Sequence, residues 1–263
     1  MTTASVRARP LDLVAAEWIK LWSLRSTYWV LLTAATTALA VGMLVCHSDI
    51  SQWARMSPGE RAATDPLAAS FVGFSVAQLI FVAIGVLTAT GEYSSGLIRS
   101  TLAAVPARRA VLAAKAAVVC LVTVAAGLVS ALASFLAGQA ILSGLHIGVS
   151  LGDPVAERAI FSAALFLGSA ALIGLGLGVL IRNAAGALTA VVVLLFLAPS
   201  FLHGASRSLV DIANTLPANA IQRLVSLHPW PTAPSITESV IVIVVYPAAA
   251  LAAAAYVIHR RDA

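Results

Sequence analysis

Several long stretches of this chain carry no charged side chain, and that feature constrains the fold more than any other. A helix rises about 1.5 Å per residue, so about 20 apolar residues match the roughly 30 Å of a bilayer's hydrocarbon. Six such stretches stand out, at about 27–46, 67–90, 116–142, 159–181, 184–202 and 237–258. Only Arg182 and Asn183 separate the fourth from the fifth, which implies a tight helical hairpin. Composition agrees: 60% of the 263 residues are hydrophobic and 10% are charged, against roughly 25% charged in a soluble domain. The expectation is an all-α integral membrane protein, a single transmembrane domain over 1–263 with six transmembrane helices.

The distribution of basic residues sets an orientation. With the N terminus inside, eleven of the 16 Lys and Arg fall on inner segments and five on outer ones. Of the 11 acids, four fall inside and seven outside. Because basic residues are retained on the cytoplasmic side, both N and C termini are expected to be cytoplasmic. The same rule accounts for the formal charge of +5 without nucleic acid, which is not expected as a partner. Residues 1–26 lack a short apolar core with a cleavage site, so an uncleaved first span is expected. Cys46 and Cys120 fall near opposite ends of different spans, and no disulfide is expected between them.

Two polar segments interrupt this pattern. Before the first span, "LDLVAAEWIKLWSLR" (Leu11–Arg25) places Leu11, Val14, Ala15, Trp18, Ile19, Leu21 and Trp22 within an arc of about 160°. Asp12, Glu17, Lys20 and Ser23 lie opposite. Tryptophans beside basic residues suit a membrane interface. An interfacial elbow helix over 10–25 is therefore expected on the inner leaflet, with Glu17, Trp18, Lys20, Trp22 and Arg25 as its marker residues; a plain extension of span one is the alternative. Between spans two and three lies "GEYSSGLIRSTLAAVPARR" (Gly91–Arg109). Taken as one helix from Tyr93 to Val105, it gathers Tyr93, Ala104, Leu97, Thr101, Val105, Ile98 and Leu102 on one side. Glu92, Ser95, Gly96, Arg99, Ser100 and Ala103 fall on the other side, Ser94 is the polar exception, and Pro106 ends the helix. Such a helix either rests on lipid or docks a cytoplasmic partner, and the residues alone leave both open.

Elsewhere the sequence is less specific. Gly174 and Gly178 stand in a GxxxG relation, expected to serve helix packing. The long outer segment His203–Ser235 is expected to include a short helix near 218–227, which is either a partly inserted element or a plain extracellular loop. Gln78 and Gln139 are the main polar residues within spans, and no charge lies well inside one, which disfavours a proton-relay carrier. No HExxH, CxxC, GxSxG or Walker A pattern is present. The chain is not expected to be an enzyme, nor to bind a metal or cofactor, and any nucleotide energy would have to come from another polypeptide.

Three pieces of the chain are similar to a known family. "AEWIKLWSLRSTYW" (Ala16–Trp29), "GEYSSGLIRSTLAAVPARRAVLAAK" (Gly91–Lys115) and "HRRDA" (His259–Ala263) resemble the elbow helix, coupling helix and basic C terminus of type-2 ABC exporter permeases in the style of high-GC Gram-positive bacteria. The resemblance implies a membrane subunit in the bacterial plasma membrane that forms a translocation path, exporting substrate. It implies pairing with a second permease copy and with a cytoplasmic ABC ATPase subunit that carries ATP and Mg. It also implies ATPase-coupling roles for Glu92, Tyr93, Ser94, Ser95, Gly96 and Arg99, with Leu97, Ile98 and Leu102 as apolar anchors. The alternatives are an ion-gradient or facilitative carrier using neutral sites, and a non-transport membrane scaffold or immunity protein.

Overall fold

A computed structural model describes residues 9–105, 107–145, 147–197, 201, 212 and 214–260, except for the side chain of Leu102. The regular elements among them are all helical. Those that matter below are α1 (Pro10–Ser23), α2 (Arg25–Gln52), α3 (Pro58–Ala63), α4 (Pro66–Phe71), α5 (Phe74–Ser94), α6 (Leu97–Ala104), α7 (Arg108–Leu142), α8 (Pro154–Ile181), α9 (Ala184–Val192), α10 (Pro217–Val225) and α11 (Ile236–Arg260). Among the described residues, five segments are long and apolar enough to cross a membrane: Arg25–Arg55, Pro66–Ser94, Arg108–Leu145, Pro154–Ile181 and Ile236–Arg260. This is the architecture of a multi-pass helical membrane protein.

The fifth expected span, 184–202, is described as an apolar helix over Ala184–Leu197, with π-helical geometry at Val193–Leu197. Residues 198–200 and 202 lie outside the described residues. Other boundaries move. The second span is α4 and α5 in series, and the third begins at Arg108, well before 116.

Helix ends follow local chemistry. The Asp65 side chain caps α4 and that of Asp153 caps α8, each ahead of a proline at the first helical position. Ser57 and Glu60 form a reciprocal capping box at α3, as do Ser235 and Glu238 at α11. Such caps satisfy backbone donors that a helix start otherwise leaves open. Arg182 ends α8 with a left-handed backbone, φ 58°, and Asn183 caps α9 through the Gly186 N–H. The expected hairpin between the fourth and fifth apolar segments is therefore present.

Close packing centres on α8, which runs parallel to α5. A Cβ at Gly85 would collide with the Ala171 carbonyl oxygen, and one at Gly174 would meet that of Val82 at 2.5 Å. A Cβ at Gly176 would reach 2.8 Å from Ala250 of α11. Lipid supplies no hydrophobic drive between helices, so backbone approach and dispersion must hold them. Phe74, Phe81, Phe135 and Phe166 are the largest of the fully buried side chains. Both cysteines are free thiols, with Cys46 packed beside Ser70 of α4.

At the end of the bundle holding α3 and α10, one carboxylate joins distant segments. Asp65 Oδ2 accepts hydrogen bonds from Ser226 Oγ, Leu227 N and His228 N at 2.8, 2.6 and 3.1 Å. Arg158 of α8 donates to the carbonyls of Leu224 and Ser226. The short helix expected near 218–227 is α10, and it buries Asn219, Ala220, Ile221 and Leu224 against the bundle. Residues 202–211 and 213 of the same segment lie outside the described residues.

Replacing Gly85 by Val should destabilise the protein by about 1–3 kcal/mol or more through overpacking. Gly59→Ala, with nothing within 4 Å of the added methyl, should leave stability unchanged or slightly improved. Unfolding in detergent micelles, followed by circular dichroism, measures both.

Candidate functional site

Most described basic residues assigned to inner segments meet at one end of the bundle. Arg99 lies on α6, Arg108 and Arg109 open α7, Arg182 turns between α8 and α9, and Arg260 ends α11. Arg108 Nη1 donates to the Ile258 carbonyl at 3.1 Å, placing the end of α11 beside the start of α7. Arg55, Arg61, Arg158 and Arg223 belong to the opposite end.

The centre of the basic end is a closed ring of four charges from three helices. Lys20 Nζ lies 2.7 Å from Glu17 Oε1 and 2.9 Å from Glu92 Oε1. Lys115 Nζ lies 2.5 Å from Glu17 Oε2 and 2.8 Å from Glu92 Oε1. Signs alternate around the ring and sum to zero. A third contact, from Lys20 Nζ to Thr101 Oγ1 at 3.4 Å, extends it to α6. Glu17 and Lys115 are each 5% exposed and Glu92 is 7% exposed. Charges so buried persist only when paired. Burial pulls the Lys20 pKa down, but its hydrogen bonds to Glu17 and Glu92 outweigh this and raise it above the ordinary 10.5. The raised value makes the Lys20 contribution fully present below pH 10.5; it is lost only as pH climbs through the folded-state value.

The ring adds a protein contact to the expected elbow helix. The chain breaks at Leu24, whose extended backbone separates α1 from α2. On the polar face of α1, Glu17 is buried in protein and Lys20 is half-buried, while Asp12 and Ser23 are exposed, as are Leu11, Trp18 and Ile19 of the apolar arc. Leu21, Val14 and Trp22, from the same arc, pack with Val118 and Val122 of α7. Trp22 stacks on Tyr28 at 4.9 Å and on Trp18 at 5.7 Å. Arg25 opens α2 and is exposed. Partial amphipathicity measured from sequence cannot tell a face that meets water from one that meets a complementary charge.

The expectation of one helix from Tyr93 to Val105 is corrected. Helix α5 continues through Glu92 and Tyr93 to Ser94, and Gly96 then takes a left-handed backbone, φ 73°. A new helix, α6, starts at Leu97. Glycine adopts positive φ without the Cβ clash other residues meet, so it is the natural residue for a helix-terminating turn. The break divides the expected coupling residues. Glu92 belongs to the ring; Tyr93 is half-buried beneath Arg182, whose guanidinium carbon stands 5.0 Å from its ring centroid; Ile98 is buried. Ser94, Ser95, Gly96 and Arg99 are exposed, and so is Leu97, at 53%. The Leu102 side chain lies outside the described residues, as do 261–263 of the basic C-terminal segment.

Sequence reasoning gave Lys115 no role of its own and Thr101 no polar role. One signal was available: Lys20 and Lys115 are the only lysines in the chain, and both neighbour long apolar runs. Among the described residues no group of three or more His, Cys, Asp and Glu has the arrangement of a metal site. Comparison of the chain with family models and with curated proteins finds no match.

Lys115→Met leaves two buried carboxylates short of a partner and should destabilise the protein by about 3–5 kcal/mol. Combined with Glu17→Gln, the total loss should fall below the sum of the two single losses, because the residues share one interaction. Denaturant unfolding of the four members of the cycle in micelles tests this; strict additivity would show that the ring is not a unit.

Proposed function

We propose that this chain is the membrane subunit of an ATP-driven transporter, with the turn Ser94–Gly96 and helix α6 as the docking surface for a separate cytoplasmic ABC ATPase. The observation that carries the proposal is the α5–α6 corner. Glu92, Tyr93 and Ile98 anchor it on the bundle, while Ser94, Ser95, Leu97 and Arg99 are exposed around it. An apolar anchor flanked by hydrogen-bonding and basic groups is the composition a helix-in-groove contact requires. A corner held by buried ion pairs transmits displacement to α1, α5 and α7 together, which is what coupling ATP closure to the spans needs.

Further support comes from where the charges lie. The ring sits at helix ends, and the middles of the spans carry neutral side chains such as Gln78 and Ser134. A gradient-driven carrier ordinarily needs titratable groups near the midplane. The sequence has no ATPase motif, so ATP and Mg belong to the partner. In this reading the basic end, with both termini, faces the cytoplasm of a bacterial cell, consistent with retention of basic residues there. A second permease copy completes the translocation path, and the direction is export, by the resemblance of Gly91–Lys115 to the coupling region of that family.

Exposed and buried residues of the corner should separate in mutagenesis. Leu97→Glu and Arg99→Glu should reduce ATPase co-purification at least tenfold while leaving insertion and unfolding unchanged. Glu92→Ala should lower stability as well. Retention of the ATPase by both surface variants would sink the docking assignment. Orientation has its own test: in a variant with Cys46 and Cys120 replaced by Ala, cysteines at Ser94 and Ser57 should react with an impermeant maleimide from opposite sides of the membrane, Ser94 from the cytoplasmic side.

A further inference from the structure

A cleft of about 240 Å³ lies between α1, the start of α2 and the last turns of α5. Leu21, Leu24, Ile84 and Leu87 form its apolar wall, with Lys20 and Glu92 of the charge ring at its polar end. Leu24 and Leu87 are exposed, so in a bilayer the mouth of the cleft meets acyl chains. The wall accepts a hydrocarbon chain, and the polar end defines the head that chain carries.

Three observations narrow that head. The ring is charge-balanced, and Lys20 Nζ already donates to Glu17, Glu92 and Thr101. Glu92 Oε2 is buried and accepts no hydrogen bond among the described residues, although Oε1 accepts two. Ser23, Thr27 and Thr88 also line the cleft and donate their hydroxyl protons to the carbonyls of Lys20, Leu21 and Ile84, at 2.8, 2.8 and 2.6 Å, and Ser26 lines it as well. The site is therefore bordered by hydroxyl-bearing residues and neutral overall. An anionic head would face two carboxylates. A cationic head would bring an uncompensated charge into a low-dielectric site. A neutral, hydroxyl-bearing head can hydrogen-bond with these residues without either penalty. The volume lies below the roughly 300–1,000 Å³ of sites for drug-sized ligands, which suits one chain and a small head.

We propose that this cleft binds a neutral, single-chain amphiphile with a hydroxyl-bearing head, of the monoacylglycerol class. The site requires only that the chain sits in a bilayer, so loss of the ATPase assignment would leave it standing.

The test uses full-length protein in phosphatidylcholine nanodiscs with a monoacylglycerol carrying a diazirine in its chain. Adducts should map to α1, the start of α2 and the last turns of α5. Unlabelled monoacylglycerol should compete at least tenfold better than an alkylamine or a fatty acid of equal chain length. Leu87→Trp, which fills the cleft from an exposed position, should reduce labelling at least fivefold with unfolding unchanged; Leu24→Trp is the second such variant. Adducts spread evenly over the lipid-facing sides of α2 and α11 would overturn the proposal as bulk lipid contact. Equal or better competition by the charged amphiphiles would overturn the neutral head.

Discussion

A lysine cannot be buried in a low-dielectric helix bundle unless an anion meets it, and the basic end of this protein is organised around that requirement. Lys115 lies two turns into α7, where its side chain cannot reach water. Glu17 from α1 and Glu92 from α5 supply the anions, and Lys20 closes the ring from outside. Three helices far apart in sequence are thereby held in one register. Without the ring, α1 would keep the apolar contact of Val14, Leu21 and Trp22 with α7 and α2, the Trp22–Tyr28 ring contact and the Thr27 hydrogen bond to the Leu21 carbonyl. Glu92 lies in the last turn of α5, so the ring also anchors the helix end that leads into the Gly96 turn and α6.

The body of the bundle rests on a different interaction. Glycines on α8 let α5 and α11 approach until backbone meets backbone, giving the dispersion contacts that replace hydrophobic drive within lipid. The far end uses directed hydrogen bonds again. Asp65 ties the start of the second apolar segment to the chain after α10, and Gln139 Nε2 donates to the Pro66 carbonyl and to Ser70 Oγ at 3.0 Å each. Gln139 Oε1 accepts from the Val149 N–H. Polar satisfaction thus fixes both ends, while close approach of small residues holds the middle, and the cleft beside α1 opens where the two regimes meet.

Periodicity exposed the apolar segments because hydrophobic length is a local property, and 1.5 Å per residue converts it directly into span length. It located α1, the Arg182–Asn183 hairpin and α10 for the same reason. It failed at Gly96, where a helical wheel drawn through residues 93–105 assumed a continuity that one left-handed residue breaks. It failed also on the polar face of α1: Glu17 and Lys20 look identical on a wheel whether water or Lys115 lies opposite.

The sequence by itself therefore determined the class of fold, the approximate spans and the segregation of basic residues, since each follows from side-chain chemistry summed over neighbours in the chain. Only the tertiary structure decided that Glu17, Lys20, Glu92 and Lys115 form one unit, that Ile98 faces in while Leu97 faces out, and that a cleft opens beside α1. The separation of up to 98 residues between ring partners explains the difference. Pairing across that distance depends on how helices cross, and crossing is set by packing that no local pattern encodes.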